Sequence, residues 1–391
     1  MKFRKGLSLL LGCCVMFLSS CSLGGEKEGK MINLTTVYNG ATLDICAPNL
    51  RAYLNATETK EQLRILKKYD GVRYDRQKLN FTWEDNGCAE YTVYFSENES
   101  FQDAIIYKTD IAELTNVGVF TPNKTYYWKV VGDNGEQSAS DQFHVADLPM
   151  RVLTVEGAAN IRDVGGWETL DGKKIAYGKL YRGGMLNGHN GGPKLTMEGI
   201  YTMSERLGIR LELDLRSSSD NSGQNVNYFN AEAPYEMLPI GQYDNILSSG
   251  STKSALKRIF ELLADESNYP IYYHCNAGAD RTGTLTFLIN GLLGVSYEDL
   301  TRDFETTSFS VCGKRWRGAG TGGDFAEDDL VMLDDPTVNY VAWGKLHKEI
   351  LDRYGDADRV LSKAIERFLT EECSISSDSL ERIKGIMIDE K

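Results

Sequence analysis

His274-Cys275-Asn276-Ala277-Gly278-Ala279-Asp280-Arg281-Thr282-Gly283 separates two stretches of different character. Before it, Pro270 to His274 has the length and apolarity of a buried strand. After it, Thr282 to Leu293 stays apolar long enough to be a buried helix. A turn between strand and helix aims backbone N–H groups inward at a helix N-terminus, where they cradle the oxygens of a tetrahedral anion. Gly278 permits the tight turn, and Arg281 offers a fixed fork to two oxygens. The same positive field favours the thiolate of Cys275, a nucleophile able to attack phosphorus without a metal or other cofactor. Charge that develops on the equatorial oxygens then meets donors already aimed at it.

Outward from this run, strands and helices alternate, which predicts an α/β domain with a largely parallel sheet flanked by helices. Thr196 is placed to cap a helix running to Leu207, with Gly208 ending it in the left-handed conformation. Ile209 to Leu215 reads as a strand in which apolar residues alternate with Arg210, Glu212 and Asp214. Ser254 to Leu263 is an amphipathic helix. Three more helices follow from Asn339 onward, the last opened by Ser377 or Asp378.

Upstream the pattern changes. Phe81-Thr82-Trp83, Tyr91 to Phe95, Tyr126 to Val131 and Gln142 to Val145 are aromatic, alternating strand signals separated by polar and glycine breaks. Their spacing is that of a β-sandwich. Asp147-Leu148-Pro149 reads as the linker between the two parts. Glu61 to Tyr69 has helical spacing inside an otherwise ambiguous segment, Asn33 to Gln77, and the first strand fits on either side of it.

The first residues form a leader. Lys2, Arg4 and Lys5 precede an apolar run, Leu7 to Leu18, too short to span a bilayer comfortably. Leu18-Ser19-Ser20-Cys21 resembles a bacterial lipobox, which implies cleavage before Cys21 and acylation of that residue. Ser22 to Lys30 is a polar, glycine-rich tether. The expected product is an exported lipoprotein, membrane-anchored, periplasmic or at the cell surface. A net charge of -13 over 391 residues argues against nucleic acid as a partner. Cys46, Cys88, Cys275, Cys312 and Cys373 are too scattered for a disulfide framework or a close-spaced zinc site.

The run around Cys275 resembles the protein tyrosine phosphatase superfamily, and more narrowly its bacterial branch of secreted tyrosine and phosphoinositide phosphatases. Three companion motifs fit that branch: Asn160-Ile161-Arg162-Asp163-Val164-Gly165-Gly166, Leu180-Tyr181-Arg182-Gly183-Gly184 and Asp214-Leu215-Arg216-Ser217. The upstream strands resemble a fibronectin type III or immunoglobulin-like module. The expected organisation is a signal peptide over 1–21, a tether over 22–34, a β-sandwich over 35–148 and a phosphatase domain over 149–391. Asn276, Ala277, Gly278, Ala279, Thr282 and Gly283 are expected to line the anion cup, with Thr282 placed to hydrogen-bond the sulfur as it leaves. Asp214 and Arg216 fall at the carboxyl end of a strand, the edge where sites form in α/β sheets; for them and for Arg162, Asp163 and Arg182, direct substrate contact and a buried ion-pair network supporting the loop both remain open.

Two aspartates compete as the acid that protonates the leaving oxygen. Asp280, inside the loop, is preferred because an Asp-Arg-Thr ending resembles myotubularin-like and Sac-like phosphatases; Asp244 resembles the acid of dual-specificity phosphatases. Relatives in the branch often carry lysine where this chain has Ala279. Lys314, Arg315 and Arg317 beside Trp316 read first as a solvated basic loop and second as a flap that replaces the missing cation. The expected substrate is a phosphorylated protein or peptide, with phosphoinositide or inositol polyphosphate as the alternative. A third reading makes the anchored sandwich the working unit and the phosphatase domain a phosphate-reading module. Sulfur transfer of the rhodanese kind is disfavoured by the companion motifs.

Overall fold

The computed structural model describes residues 31–71, 79–115, 117–188, 192–313, 315–317 and 343–389. The leader with Cys21, the tether up to Lys30, Lys314 and Asn339 lie outside the described residues. Strands β1 (Thr42–Leu43), β2 (Asn80–Thr82), β3 (Tyr91–Ser96), β4 (Ile105–Thr109), β5 (Glu113–Thr115), β6 (Thr125–Gly132) and β7 (Asp141–Val145) make a five-stranded sheet of order β1-β7-β6-β3-β4 and a two-stranded β2-β5 ladder. Alternation puts Tyr91, Val93 and Phe95 of β3 and Tyr126, Trp128 and Val130 of β6 on one buried face. The Phe81 ring of β2 meets Phe95, Trp128 and Phe143 at centroid distances of 4.8, 5.0 and 5.6 Å, so the short ladder lies over that face. Such aromatic contacts add roughly 0.5–1.5 kcal/mol each beyond their buried area.

Between β1 and β2 the chain forms helices α1 (Pro48–Asn55) and α2 (Thr59–Tyr69). Pro48 occupies the first turn of α1, where its missing N–H is not needed. Leu50, Tyr53, Leu63 and Leu66 are buried, in the same apolar cluster as Leu213, Tyr273 and Phe309 of the C-terminal half. The helical pair therefore completes the C-terminal core, although it is encoded among the N-terminal strands.

The C-terminal half continues with β8 (Arg162–Asp163), β9 (Lys174–Ile175), β10 (Leu180–Gly183), α3 (Met197–Tyr201), β11 (Leu211–Asp214), β12 (Tyr235–Met237), α4 (Gly250–Leu263), β13 (Ile271–His274), α5 (Asp280–Leu292), α6 (Tyr297–Glu305), α7 (Trp343–Tyr354), α8 (Leu361–Arg367), α9 (Ser377–Met387) and β14 (Ile388–Asp389). Its main sheet has the order β12-β11-β13-β10-β8. The first four strands are parallel and only β8 is antiparallel. Thr196 caps α3 by accepting from the Gly199 N–H, and a wider turn over Thr202–Arg206 carries the helix to Leu207 before Gly208 at φ 59°.

Two local details are refined. The last helix opens at Ser377, and its cap is the preceding Ser376, whose hydroxyl accepts from the Ser379 N–H. Every residue of β11 is buried, Glu212 and Asp214 included, because a central parallel strand is covered on both faces. The acidic side chains that alternate in the sequence thus face the interior, where they need partners.

Candidate active site

Register places Gly183, Asp214 and His274 side by side at the carboxyl edge of the sheet, and the loop Cys275 to Ala279 leaves from that edge into α5. Gly278 has φ 67°, and a Cβ there would lie 2.2 Å from the Gly183 carbonyl carbon. Only glycine fits a turn packed that tightly on β10. Cys275, at the base of the loop, is 2% exposed.

The loop's carbonyls are held from outside. Met185 N–H donates to Asn276 O at 2.9 Å. Asn160 Nδ2 donates to Ala277 O and Gly278 O at 3.0 and 3.2 Å, and Arg182 Nη2 donates to Gly278 O at 2.8 Å. The N–H groups of residues 276–280 make no hydrogen bond among the described residues, and no side chain caps α5. The Thr282 hydroxyl and the Asn276 side-chain oxygen are buried without a partner among the described residues. A turn with saturated carbonyls and unpaired amides is an anion receptor.

Arg281 and Asn276 share a carboxylate that the sequence did not single out. Arg281 Nη1 donates to Asp220 Oδ2 at 2.8 Å, and Asn276 Nδ2 approaches the same oxygen at 3.4 Å. Burial works against the charged form of Asp220, and the Arg281 contact outweighs it, holding the carboxyl below its usual range. Asp220 stands in the polar stretch after Arg216, with no motif to mark it.

Arg162, Arg182, Asp214 and Arg216 are all fully buried. Arg162 Nε donates to Asp303 Oδ1 at 2.9 Å and Arg162 Nη1 to Asn160 Oδ1 at 2.6 Å; Arg182 Nη1 reaches Asp303 Oδ2 at 2.5 Å. Of the two open readings, the geometry is that of an ion-pair network beneath the loop. Arg216 likewise lies on Asp214, Asn187 and Gln224. Glu212 accepts from His274 Nε2 at 2.9 Å and from Gln224 and the Tyr228 N–H. Burial alone would lower the His274 pKa, but Asp214 and then Glu212 raise it instead. Asp303 comes from α6 and carries no sequence signal beyond its charge.

The two candidate acids are differently placed. Asp280 accepts from Arg315 Nε and Nη2, each at 2.8 Å, and from the Tyr243 hydroxyl. Asp244 faces a half-exposed Lys345 at 2.7 Å. Arg315 and Arg317 therefore do not belong to a solvated loop. Arg315 is 8% exposed, Trp316 is buried, and Arg317 is bound to Glu305 and Gln62. Ala279, with its methyl fully buried, brings no charge to the cup.

A model of the tyrosine phosphatase family matches residues 153–389. Over 174 residues the chain is 22% identical to a Cupriavidus necator protein named as a candidate tyrosine-protein phosphatase, with 39% of this chain and 61% of that one covered. The match thus spans about three fifths of that relative's length. Among solved structures, the core catalytic domain of the PP-IP phosphatase Siw14 from S. cerevisiae, crystallised with citrate, is 19% identical with a TM-score of 0.25, over 34% of this chain and 76% of that one. A second structure of the Siw14 catalytic core is 19% identical with a TM-score of 0.24, over 33% and 71%.

Proposed function

Because the chain belongs to the tyrosine phosphatase family, we propose that it hydrolyses phosphate monoesters through a phosphocysteine on Cys275, with phosphotyrosine in a protein or peptide as the substrate class. The observation that carries this reading is the asymmetry of the loop, whose carbonyls are held and whose amides are unpaired beside Arg281. The phosphate enters the amide cup and takes the Arg281 fork from Asp220. The Cys275 thiolate attacks phosphorus, the bond to the ester oxygen breaks, and Asp280 gives that oxygen a proton. Water then attacks phosphorus and passes its proton to Asp280, the phosphorus–sulfur bond breaks, and the thiolate and inorganic phosphate are released. Thr282 donates its unpartnered hydroxyl to the departing sulfur. Arg182 holds the loop directly at Gly278 O, and Arg162 holds Asn160, which grips Ala277 O and Gly278 O.

Arg281→Lys keeps a charge but loses the planar fork, so kcat/KM for p-nitrophenyl phosphate is expected to fall on the order of 10²-fold. A change of less than about threefold would remove Arg281 from the transition state. Ala279 adds no cation, which favours a lone phosphate on an aryl group over a multiply phosphorylated ring. Comparing phosphotyrosine peptide with phosphoinositide and inositol polyphosphate decides between those classes.

The chain is also read as an exported lipoprotein anchored through Cys21, on the strength of the basic start, the short apolar run and the Leu18-Ser19-Ser20-Cys21 box. Two acyl chains anchor stably where one does not. Cys21→Ser is expected to shift the protein from the membrane pellet to the soluble fraction; unchanged pelleting excludes the anchor. The N-terminal strands are read as a fibronectin type III or immunoglobulin-like sandwich over 35–148, interrupted by α1 and α2, which pack on the catalytic domain at 149–391. The packing of Phe81 across the larger sheet supports this.

A further inference from the structure

Gln62 of α2 and Gly71 just past its end reach the strap of chain that follows α6, and Tyr53 of α1 reaches Glu305 at the end of α6. Two residues beyond α2, Gly71 N–H donates to Ser308 O at 2.9 Å. Ser308 in turn clasps Arg315, accepting from the Arg315 N–H at 3.0 Å and donating its hydroxyl to the Arg315 carbonyl. Further along, Arg317 Nη2 donates to Gln62 Oε1 of α2 at 2.6 Å and to Glu305 Oε2 at 2.9 Å. The Tyr53 hydroxyl of α1 donates to the same Glu305, which is fully buried. The strap is thus fastened on both sides of Arg315 by residues encoded before β2. What it presents is the Arg315 guanidinium, both arms on the two oxygens of Asp280.

We infer that Arg315 is a positioning residue for the proton transfer by Asp280, and that helices α1 and α2 set it, so the N-terminal region forms part of the catalytic apparatus. A carboxyl that must hand a proton to one oxygen and later take one from water has to keep a fixed orientation relative to the cup. A two-armed guanidinium supplies that fixity, where a single contact leaves the carboxyl free to turn about its own bond. A guanidinium needs its own anchor, and the Ser308 clasp and the Glu305 network provide it. The Tyr243 hydroxyl adds a third contact to Asp280.

This inference rests on the reading of Asp280 as the group that moves the proton, and the test separates the two. Phenolate is a poor leaving group that needs its proton, whereas nitrophenolate departs without one, so faulty acid catalysis shows in the ratio of their rates. With the full chain in detergent, Arg315→Met is expected to lower kcat for phenyl phosphate about 30-fold and for p-nitrophenyl phosphate less than about threefold, with KM unchanged. Arg315→Lys recovers part of the loss. Combining Arg315→Met with Asp280→Asn adds little to Asp280→Asn alone, as expected of residues acting as one unit. The pair Tyr53→Phe and Gln62→Ala shifts the same ratio in the same direction, by about threefold.

A uniform loss on both esters, an effect confined to KM, or full additivity with Asp280→Asn overturns the role of Arg315. An unchanged ratio in the Tyr53 and Gln62 variant overturns the role of the helices. If Asp280→Asn shows no leaving-group dependence and Asp244→Asn does, the proton assignment falls and the inference with it. A wild-type chain with no turnover of either ester instead sinks the proposed function. Should Arg315→Met fail to fold, Arg315→Lys carries the same comparison, since it keeps the charge and loses the two-armed grip.

Discussion

Replacing Cys275 by serine is expected to lower turnover of p-nitrophenyl phosphate by on the order of 10⁴-fold or more while leaving inorganic phosphate bound. The amide cup and Arg281 are unaltered by the change, because the loop's geometry comes from Asn160, Arg182, Gly278 and Met185 rather than from the sulfur. What is lost is the nucleophile, since a serine hydroxyl is much less acidic than a thiol and attacks phosphorus far more slowly. Steady-state rates measure the first effect, and the shift in thermal unfolding with added phosphate measures the second. A serine variant as fast as the parent would remove the phosphocysteine from the mechanism. A variant that is slow and no longer stabilised by phosphate would mean that the sulfur shapes the cup.

Asp303→Asn is expected to have the largest effect on stability. Its carboxylate lies between Arg162 and Arg182, all three within 2% exposure, and those arginines in turn hold Asn160 and Gly278. Removing one side of a buried network leaves charge without compensation, at a cost of about 3–5 kcal/mol. That corresponds to a fall in Tm of roughly 5 °C in a chain of this size. Turnover falls with it, since Gly278 O loses its fixed donor. A Tm within about 2 °C of the parent would show that the network is not under tension.

The same cluster sets a pH dependence. Burial opposes ionisation of Asp303, and Arg162 and Arg182 outweigh it, so the carboxyl is held below its usual range. A depressed carboxyl contributes stability that is complete above its unfolded value, near ~3.9, and is lost as pH falls through the lower, folded one. Acid unfolding of the parent should therefore be steeper in this window than that of Asp303→Asn.

The catalytic loop was legible because its residues are contiguous: strand, cysteine, glycine, arginine and helix lie within one short run, and local geometry fixes their relation. The strands around Tyr91 and Trp128 were legible for the same reason, since alternation is a local signal. Asp303, Asp220 and Tyr243 were not, because each reaches the loop from an element far away in the chain and looks, as a residue type, like any surface polar group. Arg315 and Arg317 misled for a related reason. Cations in a glycine-rich stretch look solvated until folding brings Asp280 to Arg315, and Glu305 and Gln62 to Arg317. Glu212 and Asp214 showed the converse, an alternating pattern that suggests a polar face where the sheet is covered on both sides.

The placement of α1 and α2 bears on where this enzyme can be cut. Tyr53 and Tyr69 pack on Phe309 at 5.4 and 6.5 Å, and Leu63 and Leu66 are sealed behind them. A recombinant fragment started at the linker, or a protease nick that released the segment before residue 79, would bare that aromatic seat and take the Tyr53 hydroxyl from Glu305. Such a fragment would tend to self-associate, so the smallest soluble unit begins upstream of Cys46 and carries the first sheet along with it.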